Sequence, residues 1–480
     1  MQKSKISNIK QIILENVETS TSHGIPNIFR SRNIILKILW TISVMGSFGY
    51  CVYCLSRNFR DFFEFKTNTQ IKYERVNQIQ FPAITFCNQY PFNINSNSYL
   101  IPIMKLGFSQ MTSWVFQPDN ILNYSNLMED AKYFLQNQTI VFKNELESIA
   151  FTIDFLLISC RFNQNECFKS DFETFFSPKY GFCYKFNGNQ SRGIRNIGMT
   201  GKKNGLSLEL YVGEPTIEYD IGKTSGIELF IHNWSSIPVA EAEGISLPGG
   251  LETNIAINQF FMKKQPRPYS NCIEDKYSQN SFSSHFYLET VRLYKQYEQK
   301  GCLNLCYHKN IKKKCGCYDP DFFFAESNLF CSFEEFTSCI LEYRKSMADS
   351  LENLACFEQC PEECDSVKYV YQTSQSNFPS PFYKKILMEF DKALNESKRG
   401  YVFENLDKYV LAVNIYYDEI ATTTIEETPA KTIEQLVAEI GGFLGLCIGI
   451  SFLTLIEIFD AIIKILLLFF SKSKINNESK

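Results

Sequence analysis

The stretch from Glu439 to Asp460 constrains this 480-residue chain more than any other part of it. It is apolar enough to enter a bilayer, yet it contains four glycines, at positions 441, 442, 445 and 449, and two carboxylates at its end, Glu457 and Asp460. A charge at bilayer depth costs about 2.5–3.5 kcal/mol, so both acids are expected to face water or protein. Irregular backbone is tolerated at that depth only where it lines a cavity. The pattern therefore predicts the wall of an ion pore.

Two apolar stretches predict membrane-spanning helices near the two ends of the chain. Residues 38–56 contain no charged side chain, and their number is close to the about 20 residues that a spanning helix needs. The second apolar stretch begins near Gln435 and ends at Phe470. A helix of that length would measure roughly 50 Å, so it must be tilted or broken in a hydrocarbon core of about 30 Å. We therefore predict a span over 34–56 and a second, interrupted span over 436–470.

Basic residues flank both predicted spans on the side of the chain ends. Residues 1–37 hold six Lys or Arg against two Glu, and the tail after Asp460 holds four Lys against one Glu. By the positive-inside rule, the segment 1–33 and the tail 471–480 are expected in the cytoplasm, with 57–435 outside a plasma membrane. That outer region carries 38 basic and 46 acidic residues, a net charge of −8, which would enrich cations near a pore mouth. Nothing in this balance suggests binding to nucleic acid.

The cysteines are distributed as this topology requires. Of the 17 cysteines, Cys51, Cys54 and Cys447 fall in the predicted spans, and the other 14 all lie between positions 87 and 364. An even number of cysteines in an extracellular region indicates a disulfide framework. The same region contains five glycosylation sequons, which are at Asn123, Asn137, Asn189, Asn233 and Asn395.

The outer region is predicted to be mixed in secondary structure, which makes the chain an α+β membrane protein. Residues 368–374 and 409–417 are rich in β-branched and aromatic side chains with partial alternation, and both predict strands. The second of them leads, through three threonines at 422–424, into the last predicted span. We expect this strand to be coupled to the pore helix.

Ten of the fourteen outer cysteines lie in the region 272–364, with two pairs spaced i, i+4. Each such pair occupies one face of a helix, so two antiparallel helices are expected to be stapled through these faces. Nested pairing joins Cys306 with Cys356, Cys302 with Cys360 and, outside them, Cys272 with Cys364, while Cys315, Cys317, Cys331 and Cys339 are expected to be nested inside them. Pro361 predicts that the second helix ends near Cys360. Zinc binding by some of these cysteines is the alternative, but structural bridges are favoured in an oxidising compartment, so no metal site is expected.

Four features in this order resemble the degenerin/epithelial sodium channel family, which includes acid-sensing and peptide-gated channels. His23-Gly24 is similar to the family's cytoplasmic His-Gly motif, and 81–88, Phe-Pro-Ala-Ile-Thr-Phe-Cys-Asn, is similar to its signature after the first span. The cysteine ladder resembles its thumb region, and Gly449-Ile450-Ser451 resembles its Gly-x-Ser selectivity filter. The resemblance covers nearly the whole chain.

The resemblance implies a trimer, built from one or several related subunits, each with two spanning helices and a hand-like extracellular domain. Two helices cannot enclose a water-filled path, so several copies are expected around one axis on physical grounds as well. The filter would be an extended break in the second span, where glycine lets backbones approach and turns carbonyls toward the ion. The family implies the remaining bridges as Cys87–Cys183, Cys160–Cys167, Cys315–Cys339 and Cys317–Cys331.

Further site residues follow from the same resemblance. Ala438 lies where bulky side chains hold such channels open, and the gate region would comprise Ala438, Glu439 and Leu446. Gly445 lies at the position where amiloride is thought to bind, and His23 with Gly24 would fold back beneath the filter, the alternative being a cytoplasmic tail without fixed structure. Phe65 and Tyr269 correspond to an aromatic contact between the extracellular domain and the spans, with Tyr replacing the usual Trp. Glu457 and Asp460 would attract cations below the filter, the alternative being an ion pair with Lys464, four residues after Asp460.

The stimulus that opens such a channel is less constrained by the sequence. Only four histidines are present, at 23, 232, 285 and 308, and the paired histidines of strongly proton-gated relatives are missing after the first span. We therefore expect a peptide-gated channel, opened by an amidated peptide ending in Arg-Phe that would suit an acidic, aromatic-rich surface. A proton-gated channel of the same family is the alternative. The permeant ion would be Na⁺, with Ca²⁺ left open.

Other protein classes account for less of the sequence. A two-span, Cys-rich cell-surface receptor without a pore would share the outer region but would not need Gly449-x-Ser451 or Glu457. An enzyme would need a nucleophile with a base or an open metal site, and no such motif occurs, so neither catalysis nor a cofactor is expected. An ATP-gated channel would need a lysine cluster for phosphate and a different cysteine pattern.

Overall fold

The computed structural model describes residues 24–90, 150–177, 180–188, 193–213, 224–234, 236, 243–294, 296–319, 331, 335–347, 351–394 and 406–475. The chain forms two compact units. The first, the helical unit, consists of residues 1–69 with 427–480, and the second, the disulfide-rich unit, consists of residues 70–426. Each unit is described by itself.

The helical unit contains four described helices. They are α1 (Ile25–Arg30), α2 (Ile34–Phe63), α10 (Ile433–Ile448) and α11 (Phe452–Ile475). Asn33 caps α2, because its side chain accepts a hydrogen bond from the amide of Ile35 at 3.0 Å. Within the described residues, α2 is the one helix that is long and apolar enough to cross a membrane.

The boundaries of these helices differ from the predicted spans. α2 continues seven residues beyond Ser56 and ends at Phe63. Hydropathy marks where an apolar stretch ends, whereas charged residues such as Arg57 and Arg60 are good helix formers and let the helix continue. The second predicted span is divided between α10, which has 16 residues, and α11.

The disulfide-rich unit is built mainly on two sheets. The strands are β1 (Thr67–Arg75), β2 (Ile79–Gln80), β3 (Ala83–Asn88), β4 (Leu157–Phe162), β5 (Asn165–Glu166), β6 (Phe172–Ser177), β7 (Gly181–Phe186), β8 (Asn196–Ile197), β9 (Leu206–Tyr211), β10 (Gly226–His232), β11 (Ile245–Pro248), β12 (Leu251–Lys263), β13 (Asp365–Asn377) and β14 (Val410–Pro429). The larger sheet has seven strands in the order β13-β12-β14-β9-β4-β5, with β1 also paired to β14, and the other has five in the order β11-β10-β3-β7-β6. A small third sheet pairs β2 with β8.

Side-chain alternation explains which strands lie at the centre of the larger sheet. In β9, Leu206, Leu208 and Leu210 are buried and alternate with more exposed polar residues, as expected for a strand with one face on the core. The first half of β14 is buried almost continuously, and it pairs in parallel with β12 and antiparallel with β9. Both segments predicted as strands, 368–374 and 409–417, are confirmed within β13 and β14 apart from Tyr409, which ends a short helical turn.

The cysteine-dense region is helical. Its described helices are α4 (His285–Tyr294), α5 (Gln299–Cys315), α6 (Leu341–Met347, preceded by a π-turn over Phe336–Ile340) and α7 (Leu351–Gln359). Helices elsewhere in this unit are α3 (Ile153–Leu156), α8 (Pro381–Leu394) and α9 (Leu406–Tyr409). The second stapled helix ends at Gln359, just before Cys360 and Pro361, as predicted.

Seven disulfides join the fourteen cysteines of this unit. They are Cys87–Cys183, Cys160–Cys167, Cys272–Cys364, Cys302–Cys360, Cys306–Cys356, Cys315–Cys339 and Cys317–Cys331. These pairs are the same as those expected from the spacing and from the resemblance. Every sulfur that the zinc alternative would use is therefore bonded to another cysteine. Cys51, Cys54 and Cys447 of the helical unit are free thiols.

Candidate ion pathway

One face of α10 packs against α2. A reciprocal cap begins α10, since the Thr432 hydroxyl accepts from the amide of Gln435 at 3.2 Å and the Gln435 side chain accepts from the amide of Thr432 at 3.0 Å. One turn further, Leu436 is buried. The thiol of Cys51 on α2 lies 3.9 Å from the carbonyl oxygen of Phe443, to which it donates.

The opposite face of α10 carries small residues. With about 100° per residue, Ala438, Gly442, Gly445 and Gly449 fall on one stripe that points away from the side of Leu436 and Phe443. A Cβ atom added at Gly442 would meet nothing within 4 Å, and one added at Gly445 would meet only the Ile450 carbonyl oxygen, 3.9 Å away. Leu446, beside this stripe, is 82% exposed. We call Ala438, Gly442, Gly445 and Gly449 the small-residue stripe.

The helix breaks at Gly449, where the sequence analysis places the filter. Gly449 has φ +72° and lies in the left-handed region that favours glycine. Its amide donates to the carbonyl of Gly445 at 3.0 Å, and the amide of Ile450 donates to the carbonyl of Leu444 at 3.2 Å. The expectation of an extended segment is therefore wrong at Gly449: the chain makes a tight turn, because the absence of a side chain lets it fold back on the last turn of α10.

This turn removes helical donors from two carbonyl groups. In a continuous helix, the amides of Ile450 and Ser451 would bond to the carbonyls of Leu446 and Cys447. Here the Ile450 amide bonds to Leu444, and the Ser451 amide bonds to the hydroxyl of Thr454 at 3.2 Å. The main-chain oxygens of Leu446 and Cys447 thus lose the partners that an unbroken helix would supply.

Ser451 caps α11. Its hydroxyl accepts a hydrogen bond from the amide of Thr454 at 3.3 Å, and the Thr454 hydroxyl accepts one from the amide of Ser451. Thr454 is buried, with 4% of its surface exposed. Thr454 was not predicted from the sequence, although a Ser followed three residues later by a side chain that can bond back is a signal for a helix start.

The two acids after the filter have different surroundings. Asp460 forms an ion pair with Lys464 at 2.5 Å, and both side chains are 53% exposed. The ion pair with Lys464, which was the alternative to cation attraction by Asp460, is therefore present. Glu457 is half-buried on the same helix, one turn before Asp460.

Glu439, in the predicted gate region, is also paired. Its carboxylate lies 2.7 Å from the ammonium group of Lys431, which precedes α10. The same ammonium group donates to the side-chain oxygen of Asn58 on α2. Lys431 and Asn58 were not predicted from the sequence, because only the packing of α10 on α2 brings them together.

The chain before α2 folds back along it. Gly24 has φ +87° and is buried, and a Cβ atom there would lie 2.7 Å from a methyl group of Val44. Val44 is ten residues into α2, roughly 15 Å along its axis. Gly24 therefore has a structural reason to be glycine, which is close approach to α2 in an unusual backbone conformation. His23 lies outside the described residues.

Phe65 and Tyr269, which were predicted to be in contact, belong to different units of the chain. Phe65 belongs to the helical unit, where its ring lies 6.2 Å from that of Phe62, whereas Tyr269 belongs to the disulfide-rich unit.

Of the glycosylation sequons, Asn233 is described and is half-buried. The other four, Asn123, Asn137, Asn189 and Asn395, lie outside the described residues.

Titratable groups of the disulfide-rich unit bear on the stimulus. His232 is buried, bonded to Thr85 at 2.8 Å, and its burial lowers its pKa to about 3, so it stays neutral near physiological pH. Burial also raises the pKa of Glu298 to about 7, and the nearby carboxylate of Glu363 adds to this shift. The carboxylate of Glu298 accepts a bond from the Gln296 side chain at 3.0 Å.

Comparison with known proteins places this arrangement in a family. The family model described as amiloride-sensitive sodium channel matches residues 17–461. The bile acid-sensitive ion channel of Homo sapiens is 28% identical over 457 residues, which cover 92% of this chain and 84% of that protein. The FMRFamide-activated amiloride-sensitive sodium channel of Cornu aspersum is 24% identical over 565 residues, covering 96% and 84%. Acid-sensing ion channel 2 of Homo sapiens is 25% identical over 464 residues, covering 93% and 85%.

A match over this length shows the family, and the proteins in it are ion channels rather than enzymes. The motifs, the seven disulfides and the match agree. The chain belongs to the amiloride-sensitive sodium channel family, also called the degenerin/epithelial sodium channel family, and its disulfide-rich unit is the extracellular domain of that family.

Proposed function

We propose that this chain is a subunit of an amiloride-sensitive sodium or mixed cation channel in the plasma membrane, with α2 as its first span and α10–α11 as its interrupted second span. Both chain ends would be cytoplasmic and 57–435 extracellular, in keeping with the flanking lysines and arginines. One observation carries this proposal: the break at Gly449–Ser451 withdraws helical donors from main-chain oxygens within an apolar stretch. Such oxygens can replace part of the hydration shell of a cation.

In a trimer of identical or related subunits, the same helices of the neighbouring subunits would enclose the ion path that these oxygens line. Each helical glycine weakens a helix by about 1 kcal/mol relative to alanine. Within the described part of the chain, no close neighbour explains the glycine at 442. The small-residue stripe therefore suits close approach of the same helix from neighbouring copies. Relatives described as epithelial sodium channel subunits beta and gamma support assembly from several chains.

An extracellular peptide of the RFamide type is the proposed stimulus. The FMRFamide-activated relative supports this choice, as does the net charge of −8 over 57–435, which suits the arginine of such a peptide. Proton gating is the second candidate, and the observation that favours it is the Glu298 carboxyl group, whose pKa is raised by burial to about 7. Recordings from injected oocytes during application of amidated peptides, acid pulses and bile acids separate these stimuli.

The channel activity itself can be tested without knowing the stimulus. Ala438→Trp places bulk on the small-residue stripe, where it should keep the pore open and give a steady, amiloride-sensitive cation current. The matched control is Val437→Trp, which places the same bulk on an exposed residue outside the stripe. Absence of current from Ala438→Trp, alone and with related subunits, despite labelling at the cell surface, would contradict the proposal.

A further inference from the structure

A three-residue contact joins α10 to α2 at the start of α10. The Lys431 ammonium group lies 2.7 Å from a carboxylate oxygen of Glu439 and also donates to the side-chain oxygen of Asn58. The Lys431 side chain is only 18% exposed, while the Glu439 side chain is 44% exposed. Because side chains of a helix lean toward its N-terminus, Glu439 reaches back along two turns to meet Lys431.

Asn58 fixes the position of the Lys431 side chain in this contact. Asn58 is 3% exposed, so its amide bears a desolvation cost that an apolar side chain at the same position would not. Its oxygen accepts from Lys431, but its amide nitrogen has no hydrogen-bond partner among the described residues. Burying an amide with an unpaired nitrogen is unfavourable, and its one hydrogen bond is accepted from the lysine. We therefore assign to Asn58 the role of holding Lys431.

Glu439 occupies an intermediate direction on α10. With about 100° per residue, it lies about 60° from Leu436, which faces α2, and about 100° from Ala438 on the small-residue stripe. Its carboxylate therefore can turn toward either side of the helix. In this structure it is turned to Lys431 and so is neutralised by a cation.

We propose that Lys431 is a positioning residue of the pore mouth, which holds the Glu439 carboxylate at α2 and cancels its charge, with Asn58 fixing the lysine. This inference rests on the proposed channel function and adds a control on how strongly the pore mouth attracts cations. Without Lys431, the carboxylate turns to the small-residue stripe and binds external divalent cations, which then block the sodium current.

The first test measures the contact and needs no current. Lys431→Met, Glu439→Gln and the double variant are purified as full chains, and their thermal unfolding is compared. Each single variant is expected to lower the Tm, and the double variant is expected to lower it by clearly less than the sum of the two. Additive shifts would overturn the inference. The exposed pair Lys66–Glu64 is the matched control, and its cycle should be additive within error.

The second test measures the role of the contact in conduction. Lys431→Met is expected to lower the external Ca²⁺ concentration for half-block of the sodium current at least threefold, and Lys431→Arg should behave as the unchanged protein. Lys431→Met combined with Glu439→Gln should match Glu439→Gln alone, because the lysine acts through the carboxylate. An unchanged Ca²⁺ block in Lys431→Met, or the same shift with and without Glu439, would overturn the proposal.

The two tests separate this inference from the channel proposal. Non-additive Tm shifts, with no current from any variant, would support the contact and contradict the proposed channel function. Normal currents together with additive Tm shifts would contradict the contact and support the proposed channel function. Lys431→Gln replaces Lys431→Met if the methionine variant does not reach the cell surface, and the same outcomes apply to it.

Discussion

Gly449 is the residue on which the geometry of the break depends. Its φ of +72° lies in a region where a Cβ atom costs roughly 1–2 kcal/mol. We predict that Gly449→Ala distorts the turn and changes the ratio of sodium to potassium permeability, measured as a shift in reversal potential. Gly46→Ala, at a helical glycine of α2 where an added Cβ meets nothing within 4 Å, is the control and should leave the reversal potential unchanged. An unchanged reversal potential in Gly449→Ala would remove this residue from the filter.

Ser451 is predicted to act on selectivity through its cap. Ser451→Ala removes an N-cap, a loss of about 1 kcal/mol for α11, and should shift the reversal potential. Ser451→Thr retains a hydroxyl and should shift it much less, whereas Thr454→Val should reproduce the effect of Ser451→Ala. If Thr454→Val leaves permeability unchanged while Ser451→Ala alters it, the serine acts directly on the ion and not through the cap.

Glu298 gives a prediction for stability against pH. Its folded-state pKa is raised to about 7 from an ordinary value of 4.5, so the folded protein keeps a proton that the unfolded chain releases. Its contribution to stability is therefore complete below the unfolded pKa and is lost as the pH rises through the folded one. Glu298→Gln should raise the Tm by a few degrees at pH 8 and should have little effect at pH 4.5. The exposed Glu166→Gln is the control. An equal effect of Glu298→Gln at both pH values would contradict the raised pKa.

Residues that depend on local backbone chemistry were predictable from sequence. Gly449 was expected in an irregular segment because glycine is the residue for such backbone, and the structure places a left-handed turn there. Thr454, Lys431 and Asn58 were not expected. The first takes its role from a cap whose register only the break defines, and the other two meet because α10 packs on α2.

At the scale of elements, the disulfide ladder was the most predictable part. The i, i+4 spacing places Cys302 and Cys306 on one face of α5, and Pro361 limits α7, which predicts the nested bridges between these helices. The pairing of the four cysteines nested inside them was implied by the family resemblance. The parallel pairing of β12 with β14 was not predicted, because register between strands distant in sequence is set by packing. The end of α2 at Phe63 was not predicted either, since helices continue past the edge of an apolar stretch.

The stapled helices lead to a prediction about stability. The Cys302–Cys360 bridge closes a separation of 58 residues, and its loss, as Cys302→Ala with Cys360→Ala, should lower the free energy of unfolding by about 2–4 kcal/mol. Surface expression and the Tm of the purified protein measure this change. Cys54→Ala, which removes a free thiol from α2, should leave both nearly unchanged. A double variant as stable as the unchanged protein would show that the helices hold together without this bridge.

At the scale of the whole molecule, a pore requires several copies of α10 to face one another across water. Ala438, Gly442 and Gly445 of the small-residue stripe are exposed in the single chain, and the opposite face is covered by α2. The sequence predicts such an assembly, because two helices alone enclose nothing, but it does not determine the stimulus. A stimulus site depends on surface shape and charge, which local pattern does not encode.

Reaction of introduced cysteines with a charged thiol reagent shows which face of α10 lines the pore. In a background with Cys447→Ala, cysteine is placed on the stripe, at Gly442 and Gly445, or on the face toward α2, at Leu436 and Phe443. The external reagent is expected to reduce the sodium current rapidly and irreversibly at the two stripe positions, and amiloride is expected to slow this reaction. No reaction is expected at the other two positions. Reaction at Leu436 and Phe443, with silence along the stripe, would contradict a pore lined by the interrupted helix.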